Sequence, residues 1–326
     1  MKPFDYQLEM AEDGYNILSR FMIVYLAAEE RVGKTLPAIL IAERCNINSV
    51  LVLTKKNAVK GWTDTLAAYP HKKKYNVTNY HQAHKFGRHD LLILDESHNY
   101  IAGYPKQSNM HKTIQEIARQ TPIIYISATP YAQGFQMLYH QFALSSWSPW
   151  RKYSNFYHWF KDYGIPSSSW FNGRQVPVYT ETKGEIIRPE VEHLFITRTR
   201  KQLGFDHEPI DKLHFIDLEP ATRKCYNYLM KEKYMDLGSN ELICDTPMKL
   251  RTSLHMLEGG VAKCDDVYLV LPNNEKIDYI KTTWDDKAEL VIYYHYLAEG
   301  MTDRKGVVSG KLVVCAGLLL YIESTT

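Results

Sequence analysis

Short runs of apolar residues alternate with longer segments of mixed polarity over the first 145 residues of the chain. Within each run, apolar residues occupy successive positions, a pattern typical of strands buried on both faces of a parallel sheet. The alternation with helical segments predicts a doubly wound α/β domain over residues 1–145. The predicted strands are FMIVYLAA (21–28), SVLVLT (49–54), DLLILDE (90–96) and PIIYISAT (122–129), and the predicted helices cover residues 5–19, 35–44, 58–68 and 112–119.

The pattern changes after the fourth predicted strand. Residues 146–190 are rich in Trp, Tyr, Ser and Pro, which predicts a mostly helical insertion with irregular loops. A basic cluster at 198–201 and a strand-like HFIDL at 214–218 follow. Residues 220–236 predict a helix, because Pro220 suits a first helical turn.

A second α/β pattern begins in the last third of the chain. A helix-like segment at 276–284 lies between strand-like segments at 266–272 and 289–296. The composition changes again near Met301, and the pattern stops short of a full domain. We therefore expect three parts, namely an α/β domain at 1–145, an insertion and linker at 146–245, and an incomplete second α/β domain at 246–326.

Composition and charge narrow the function classes. Hydrophobic residues make up 45% and charged residues 23%, as in ordinary globular proteins. The 39 basic and 37 acidic residues leave a net charge of +2, so any nucleic-acid surface must be a local patch. The five cysteines include no C-x-x-C pair and predict neither a zinc site nor a disulfide framework. No signal peptide is recognisable, and the apolar run at 312–322 is too short for a bilayer, so we expect a cytoplasmic protein without a membrane partner.

The sequence AEERVGKT joins the first predicted strand to a helix, which is the context of a phosphate-binding loop. Backbone N–H groups at a helix N-terminus favour a phosphate anion. Lys34 would reach the β- and γ-phosphates, and Thr35 would offer its hydroxyl to Mg²⁺. Two positions often held by glycine are Ala28 and Arg31, so a surface turn before a helix is the alternative interpretation. The predicted ATP-binding residues of the loop are Ala28, Arg31, Val32, Gly33, Lys34 and Thr35.

Two carboxylates follow the third predicted strand, at Asp95 and Glu96. The carboxyl ends of parallel strands are where open α/β sheets bind ligands. Asp95 could hold a Mg²⁺ that bridges phosphates, and Glu96 could position or deprotonate a water molecule. An isolated Asp-Glu pair would more simply end a strand, but here a GKT sequence precedes it by one intervening strand. The pairing predicts a nucleotide site.

A third motif, Ser127-Ala128-Thr129-Pro130, follows the next strand. Its hydroxyls could hydrogen-bond to the acidic motif and report the state of the γ-phosphate. The alternative is a simple turn at the end of a strand, made by Ser, Thr and Pro.

Together these motifs resemble the first motor domain of superfamily-two helicase-like ATPases, and in particular the Snf/Swi-type DNA translocases and their phage-encoded relatives. The resemblance covers about residues 3–300 and is most specific in the spacing between DESH and SAT. It implies a P-loop NTPase (RecA-like) fold, ATP and Mg²⁺ as cofactors, and ATP-driven movement along DNA. The segments that carry it are Gln7, AEERVGKT, LVLTKKNAVKGW, VTNYHQAHKF, LLILDESH, YISATP, LYHQFALSSW, ITRTRKQLGF and LEPATRKCYNYLM.

The resemblance also implies roles for single residues. Gln7 matches the glutamine that reads adenine, and Lys34 and Thr35 match the ligands of the phosphates and Mg²⁺. Asp95 matches the acid that holds the metal, and Glu96 the acid that activates water. The residues that match the coupling between ATP and nucleic acid are His98, Ser127 and Thr129.

Four basic residues match family positions that contact nucleic acid. Lys55 and Lys56 follow the second strand, where they could instead form a solvated face. Arg198 and Arg200 match a basic linker, where structural salt bridges are an equal alternative. Trp62 lies nearby, and core packing is its preferred interpretation. The implied partner is double-stranded DNA bound without sequence preference.

Members of the family need a second motor domain, which supplies an arginine finger. The pattern enters such a domain and then stops, so we expect a truncated or frameshifted gene, or a partner that supplies the missing half. For this chain alone we expect little or no DNA-stimulated ATP turnover. The alternative function is a non-catalytic nucleotide- and nucleic-acid-binding remnant. A small-molecule kinase shares GKT but does not explain DESH followed by SATP. A phage-borne gene would place the protein in the host cytoplasm.

Overall fold

The structure is a computed structural model, which describes residues 2–171, 174–204, 212–273, 275–284, 293–296 and 315–316. The chain forms two compact units, Met1–Asp206 and His207–Thr326. Each unit has its own hydrophobic core. None of the helices in the described ranges is both long and apolar enough to span a membrane.

The strands of the first unit are β1 Ile23–Leu26, β2 Ser49–Thr54, β3 Lys74–Asn79, β4 Leu91–Asp95, β5 Ile123–Ile126, β6 Ser167–Phe171, β7 Arg174–Val178 and β8 Phe195–Ile196. Six of them form a fully parallel sheet with the strand order β3-β2-β4-β5-β1-β8. The helices of this unit are α1 Asp5–Phe21, α2 Thr35–Arg44, α3 Val59–Ala68, α4 Asn109–Ala118, α5 Gln136–Phe142, α6 Phe156–Tyr163 and α7 Gly184–Val191.

Helices cover both faces of this sheet, as the apolar runs predict. Ile23 and Tyr25 of β1 pack in a core with residues of α4, α5, α6 and α7. Val24 and Leu26 of the same strand pack in a second core with α1, α2 and α3. Because successive side chains of a strand point to opposite faces, a strand between two helical layers must be apolar throughout. The predicted α/β fold is confirmed, including its four central strands.

Both edges of the sheet are strands that the apolar pattern does not predict. The strand β3 has the sequence KYNVTN and is partly exposed. Because most of its residues are polar, it contains no apolar run that would predict a strand. The strand β8 has only two residues, which pair with Tyr25 and Leu26 of β1. An edge strand has a neighbour on one side only and needs less apolar sequence.

Residues 146–204 belong to the same compact unit as the first 145 residues, which differs from the predicted boundary at 145. The helices α6 and α7 agree with the predicted helical insertion, but an antiparallel hairpin of β6 and β7 separates them. Trp159 and Ile187 from these helices are fully buried in the core shared with α4 and α5. The segment therefore completes the first unit by burying aromatic surface against it.

The second unit is smaller in its described part. Its strands are β9 Tyr234–Asp236, β10 Glu241–Ile243, β11 Val261–Cys264, β12 Val267–Val270, β13 Tyr293–Tyr294 and β14 Cys315–Ala316, and its helices are α8 Pro220–Glu232, α9 Pro247–Glu258 and α10 Glu275–Thr283. The strands pair two by two, antiparallel in β9–β10 and β11–β12 and parallel in β13–β14.

Several predictions for the second unit can be compared with the structure. The helix predicted at 220–236 ends at Glu232, because Lys233 adopts a left-handed φ of 57° before β9 begins. HFIDL forms no strand, so that prediction is wrong. The strand at 266–272 and the helix at 276–284 correspond to β12 and α10. Of the strand predicted at 289–296, residues 289–292 lie outside the described residues, and the proposed incomplete second domain remains a prediction.

Candidate nucleotide site

The phosphate loop leaves the carboxyl end of β1 and enters α2. Arg31 and Gly33 have φ values of 61° and 71°, in the left-handed region that favours glycine. A Cβ atom at Gly33 would lie 2.8 Å from Nε2 of Gln7, so a side chain there would displace the Gln7 amide. Ala28 and Val32 are fully buried and anchor the loop in the core. Thr35 is the first residue of α2, as predicted.

The ammonium of Lys34 folds back over its own loop. Its Nζ donates to the carbonyl oxygens of Ala28 and Glu29, both at 2.8 Å. Partial burial lowers the pKa of Lys34, while the carboxylates of Glu96 and Asp95 oppose that shift. The acidic strand end is thus close enough to act on the lysine electrostatically.

The first turn of α1 is hydrogen-bonded to the phosphate loop. Gln7 is buried, and its Nε2 donates to the carbonyl of Gly33 at 3.1 Å while its Oε1 accepts from the backbone N–H of Phe4 at 3.0 Å. The Tyr6 hydroxyl donates to the carbonyl of Val32 at 3.1 Å. An open cavity of about 510 Å³ lies beside this turn, lined by Tyr6, Glu9, Thr197, Arg198, Gln202 and Leu203.

Asp95 is the last residue of β4, and one of its carboxylate oxygens accepts two hydrogen bonds from side chains of the protein. Its Oδ2 accepts from the Thr54 hydroxyl at 2.6 Å and from the Trp62 indole at 2.9 Å. The Tyr80 hydroxyl donates to the Asp95 carbonyl at 2.9 Å. Trp62 is buried in the core, as predicted. Its indole N–H orients the carboxylate of Asp95. The other carboxylate oxygen, Oδ1, makes no hydrogen bond to a described residue.

Glu96 lies at a turn immediately after the strand. Its φ of 54° is left-handed, and its backbone N–H donates to the carbonyl of Ile126 at 2.7 Å. Its Oε2 is 3.8 Å from Nζ of Lys55 and 3.6 Å from Nδ1 of His98. Burial raises the pKa of Glu96, with Lys55 opposing. A carboxylate with a raised pKa accepts a proton more readily, which suits a general base.

The three predicted coupling residues form one chain of hydrogen bonds. Nδ1 of His98 and Oγ of Ser127 are 2.7 Å apart, and Nε2 of His98 is 3.5 Å from Oγ1 of Thr129. The Ser127 hydroxyl also accepts from the backbone N–H of Thr129 at 3.0 Å. Burial, and next the charge of Lys55, lower the pKa of His98, so the ring is neutral at pH 7.

A buried polar cluster behind these motifs is absent from the sequence-based predictions. The hydroxyls of Tyr25 and Ser97 both donate to Oε1 of Gln141, each at 2.7 Å. Nε2 of Gln141 donates to the carbonyls of Pro130 and Met137. The cluster connects β1, the acidic motif, the SATP motif and α5. A tyrosine inside an aliphatic strand and a glutamine inside an apolar helix were the signals available in the sequence.

The residues predicted to contact nucleic acid lie in two segments, one after β2 with Lys55 and Lys56 and one after β8 with Arg198 and Arg200. Lys55 lies beside Glu96, and Lys56 is exposed at the start of a short 3₁₀ turn. Arg198 forms a salt bridge with Asp13 at 3.0 Å, the structural alternative considered for it. The backbone N–H of Arg200 donates to a carboxylate oxygen of Glu29 at 2.7 Å.

The segment that carries Arg198 and Arg200 runs alongside the phosphate loop. The backbone N–H of Ala27 donates to Ile196, and that of Glu29 donates to Arg198. This neighbour was not predicted, because it depends on β8 pairing with β1.

The donor set is compatible with a Mg²⁺ ion. Among the described residues, no three His, Cys, Asp or Glu side chains come together as a metal site. Protein-bound Mg²⁺ commonly uses one or two carboxylates together with substrate phosphates and water. Asp95, with Oδ1 without a hydrogen bond in the described part, and Thr35 at the start of α2 meet that pattern.

Comparisons with known proteins return weak structural likenesses. No family model matches the chain, and no curated protein matches its sequence. The Sulfolobus solfataricus SWI2/SNF2 ATPase core in complex with double-stranded DNA is 13% identical, with a TM-score of 0.49 over 94% of this chain and 69% of that one. The Pyrococcus furiosus Hef helicase domain is 14% identical, with a TM-score of 0.35 over 71% of this chain and 45% of that one.

A third solved structure is similar over a smaller region. A nuclease-deletion mutant of the Type ISP restriction-modification enzyme LlaGI, bound to a DNA substrate mimic, is 13% identical, with a TM-score of 0.30. The similarity covers 40% of this chain and 18% of that one. Likeness at these levels assigns no function, so the function has to be inferred from the site.

Proposed function

We propose that the chain is an ATP-binding motor module of the Snf/Swi-like, superfamily-two helicase type, which hydrolyses ATP in response to DNA. The observation that carries the proposal is the convergence of three motifs at one edge of the sheet. The phosphate loop, the acidic motif and the SATP motif follow β1, β4 and β5, which are neighbours in the order β4-β5-β1. Ligands of open α/β sheets bind outside such carboxyl ends.

In this proposal, Lys34 and the backbone N–H groups at the start of α2 bind the phosphates. Lys34 already donates to two carbonyl oxygens, and phosphate oxygens would replace them as acceptors. A bound Mg²⁺, held by Asp95 and Thr35, would neutralise phosphate charge. The hydrogen bonds from Thr54 and Trp62 would keep the Asp95 carboxylate in one orientation.

Glu96 is the proposed general base for the attacking water. Its raised pKa supports proton acceptance, and its two neighbours, Lys55 and His98, would adjust that pKa. His98 also reaches Ser127, so a change at the γ-phosphate would be transmitted from Glu96 to the SATP motif. Gln7, next to Gly33 and the adjoining cavity, is proposed to contact the adenine.

DNA is the proposed partner, contacted through its phosphates by Lys55, Lys56, Arg198 and Arg200. Contacts of this kind carry no base specificity, so binding would be sequence-independent. Translocation requires two motor domains that close on ATP and reopen. Whether the second unit starts a second RecA-like domain remains a prediction.

A non-catalytic nucleotide- and nucleic-acid-binding remnant is the second candidate. Ala28 and Arg31 favour it, because they occupy loop positions often held by glycine, and Arg31 adopts a left-handed φ of 61°. Both candidates retain ATP binding, and they differ in turnover.

Phosphate release with and without double-stranded DNA, in wild type and Glu96→Gln, tests the proposal. The motor proposal expects DNA-stimulated release that is lost in Glu96→Gln, while both proteins still bind ATP in a titration. ATP binding with no turnover under any condition would leave only the remnant. Stimulation by a small metabolite and not by DNA would point to a kinase instead. If wild type does not bind ATP, both candidates are wrong.

A further inference from the structure

A large open groove lies on the first unit, with one wall formed by α4. The groove has a volume of about 1170 Å³. This wall presents Lys112, Gln115 and Glu116 of α4 and the C-cap residue Arg119, spaced three and four residues apart on one helical face. The opposite wall belongs to residues 145–157. None of the residues that line this α4 groove belongs to the candidate nucleotide site.

The α4 groove is strongly basic in a protein with a net charge of only +2. Lys106, Lys112, Arg119 and Arg151 line it, and Glu116 is the one carboxylate among the lining residues. All four cations are exposed, and none forms a salt bridge with another described residue. Burial lowers the pKa of His140 in the floor, so this residue adds no charge at pH 7.

Neutral hydrogen-bonding groups also line the groove. Ser145 and Ser148 are buried in the wall, where their hydroxyl oxygens accept from the backbone N–H groups of Trp147 and Trp150. Since the oxygens act as acceptors in these bonds, the hydroxyl protons remain to be donated. The first turn of α6, which begins after the N-cap Asn155, also borders the groove, and a helix N-terminus favours anions.

We propose that the α4 groove binds the phosphodiester backbone of a nucleic acid strand. Its volume exceeds the ~300–1,000 Å³ of small-molecule pockets, which favours an extended ligand. Lys112 and Arg119 are seven residues apart on a helix, or about 10 Å, which corresponds to roughly three nucleotides along one strand of a duplex. Tyr157 at the rim is 39% exposed and can pack on a sugar or base.

This inference depends on one part of the proposed function, namely that the partner is DNA, and it does not depend on ATP binding or hydrolysis. The groove is a second contact region, separate from Lys55, Lys56, Arg198 and Arg200. It would hold DNA to the first unit whether or not ATP is bound. A loss of DNA binding in a groove variant, measured without ATP and compared with a control variant, therefore tests the groove, and ATP titrations test the nucleotide site.

The experiment compares Lys112→Glu/Arg119→Glu with a control that makes the same change of charge elsewhere. Lys161 and Arg174 are exposed residues of the same unit outside the groove, so Lys161→Glu/Arg174→Glu is the matched control. The probe is a fluorescent DNA duplex, titrated without ATP at a series of salt concentrations. Circular dichroism verifies that both variants fold.

The groove variant should bind DNA roughly tenfold or more weakly than wild type, and the slope of log affinity against log salt should become shallower by about 2. The control should keep both the affinity and the slope close to wild type. Equal losses in the two variants, or no loss in the groove variant, would overturn the proposal while leaving the nucleotide site untouched.

A variant that is expected to raise DNA affinity distinguishes a loss of groove charge from damage to the fold. Glu116→Gln removes the one lining carboxylate and should raise DNA affinity several-fold, which a misfolded protein cannot do. Poly-glutamate of matched charge serves as a competitor. If it displaces DNA as well as unlabelled duplex does, the groove recognises acidic protein chains in general, and the proposal of a nucleic-acid site is wrong.

Discussion

The candidate nucleotide site and the α4 groove both concentrate charge, but they hold it differently. In the nucleotide site, Lys34 donates to two loop carbonyls and Asp95 accepts from two fixed donors. In the groove, four exposed cations have no ion-pair partner in the described part of the chain. Charged groups that are held by hydrogen bonds keep one geometry, which suits a compact ligand such as a nucleotide. Exposed cations without an ion-pair partner attract anions in a salt-dependent way, which suits an extended ligand such as a nucleic acid strand.

The largest expected effect separates the two regions directly. Lys34→Ala should lower Mg·ATP affinity about 100-fold, since hydrogen bonds to charged groups contribute roughly 1.5–3 kcal/mol each. DNA affinity should stay unchanged in this variant, because the groove lies elsewhere. Titration calorimetry with ATP and the fluorescent duplex measure the two affinities. Lys60→Ala, on an exposed lysine paired with Asp64, is the control. Unchanged ATP affinity in Lys34→Ala would contradict the assignment of the site.

The buried cluster behind the nucleotide site offers the next test. Gln141→Met removes the acceptor that the buried hydroxyls of Tyr25 and Ser97 share. These two hydroxyls are 3.1 Å apart, so one of them can then donate to the other, and the second is left without an acceptor. An unsatisfied buried polar group costs about 1–3 kcal/mol, so we expect a loss of roughly 2–4 kcal/mol in the free energy of unfolding by urea. Exposed substitutions such as Lys112→Gln in the groove should have little effect.

A double mutant shows whether the cluster acts as a unit. Adding Tyr25→Phe to Gln141→Met removes one stranded hydroxyl, so the double mutant should be less destabilised than the sum of the two single mutants. Strict additivity would mean that the hydroxyl and the amide are not coupled.

A smaller effect is expected at the phosphate loop. Arg31 adopts a left-handed φ of 61°, which an L-residue holds at a cost of about 1–2 kcal/mol and glycine holds readily. Arg31→Gly should therefore be about 1 kcal/mol more stable than Arg31→Ala in urea unfolding. Both variants lose the same side chain, so their difference isolates the backbone. Equal stability would mean that the loop relaxes out of this conformation.

The smallest expected effect concerns pH. Burial raises the pKa of Glu96, so the folded state disfavours its charged form. The stability linked to this group is fully present below the usual glutamate pKa of about 4.3 and is lost as the pH rises through the raised, folded-state pKa. Glu96→Gln should thus melt above wild type at pH 7, with the difference vanishing near roughly pH 4. Glu181→Gln, at an exposed position, should change neither value. A melting difference independent of pH would contradict the desolvation of Glu96.

Local sequence motifs predicted which residues form the candidate site better than they predicted the hydrogen bonds and ion pairs between those residues. The phosphate loop, the acidic motif and the SATP motif could be read from the sequence, because each directly follows an apolar strand. Trp62 was predicted to pack in the core, and its hydrogen bond to Asp95 was not. Lys55 was predicted to contact DNA, and the 3.8 Å distance from its ammonium to the carboxylate of Glu96 was not predicted. Both contacts exist because β2 and β4 are neighbours in the sheet.

The sequence by itself determined the parallel α/β fold of the first unit and the three loops that form the candidate site, because buried strands and tight phosphate loops require particular residues at adjacent positions. Only the tertiary structure decided that residues 146–204 complete the same unit, that Gln141 joins Tyr25 to Ser97, and that α4 faces residues 145–157 across a basic groove. These features join segments tens of residues apart, and the strand order and the packing of helices on the sheet, not local spacing, bring such segments together.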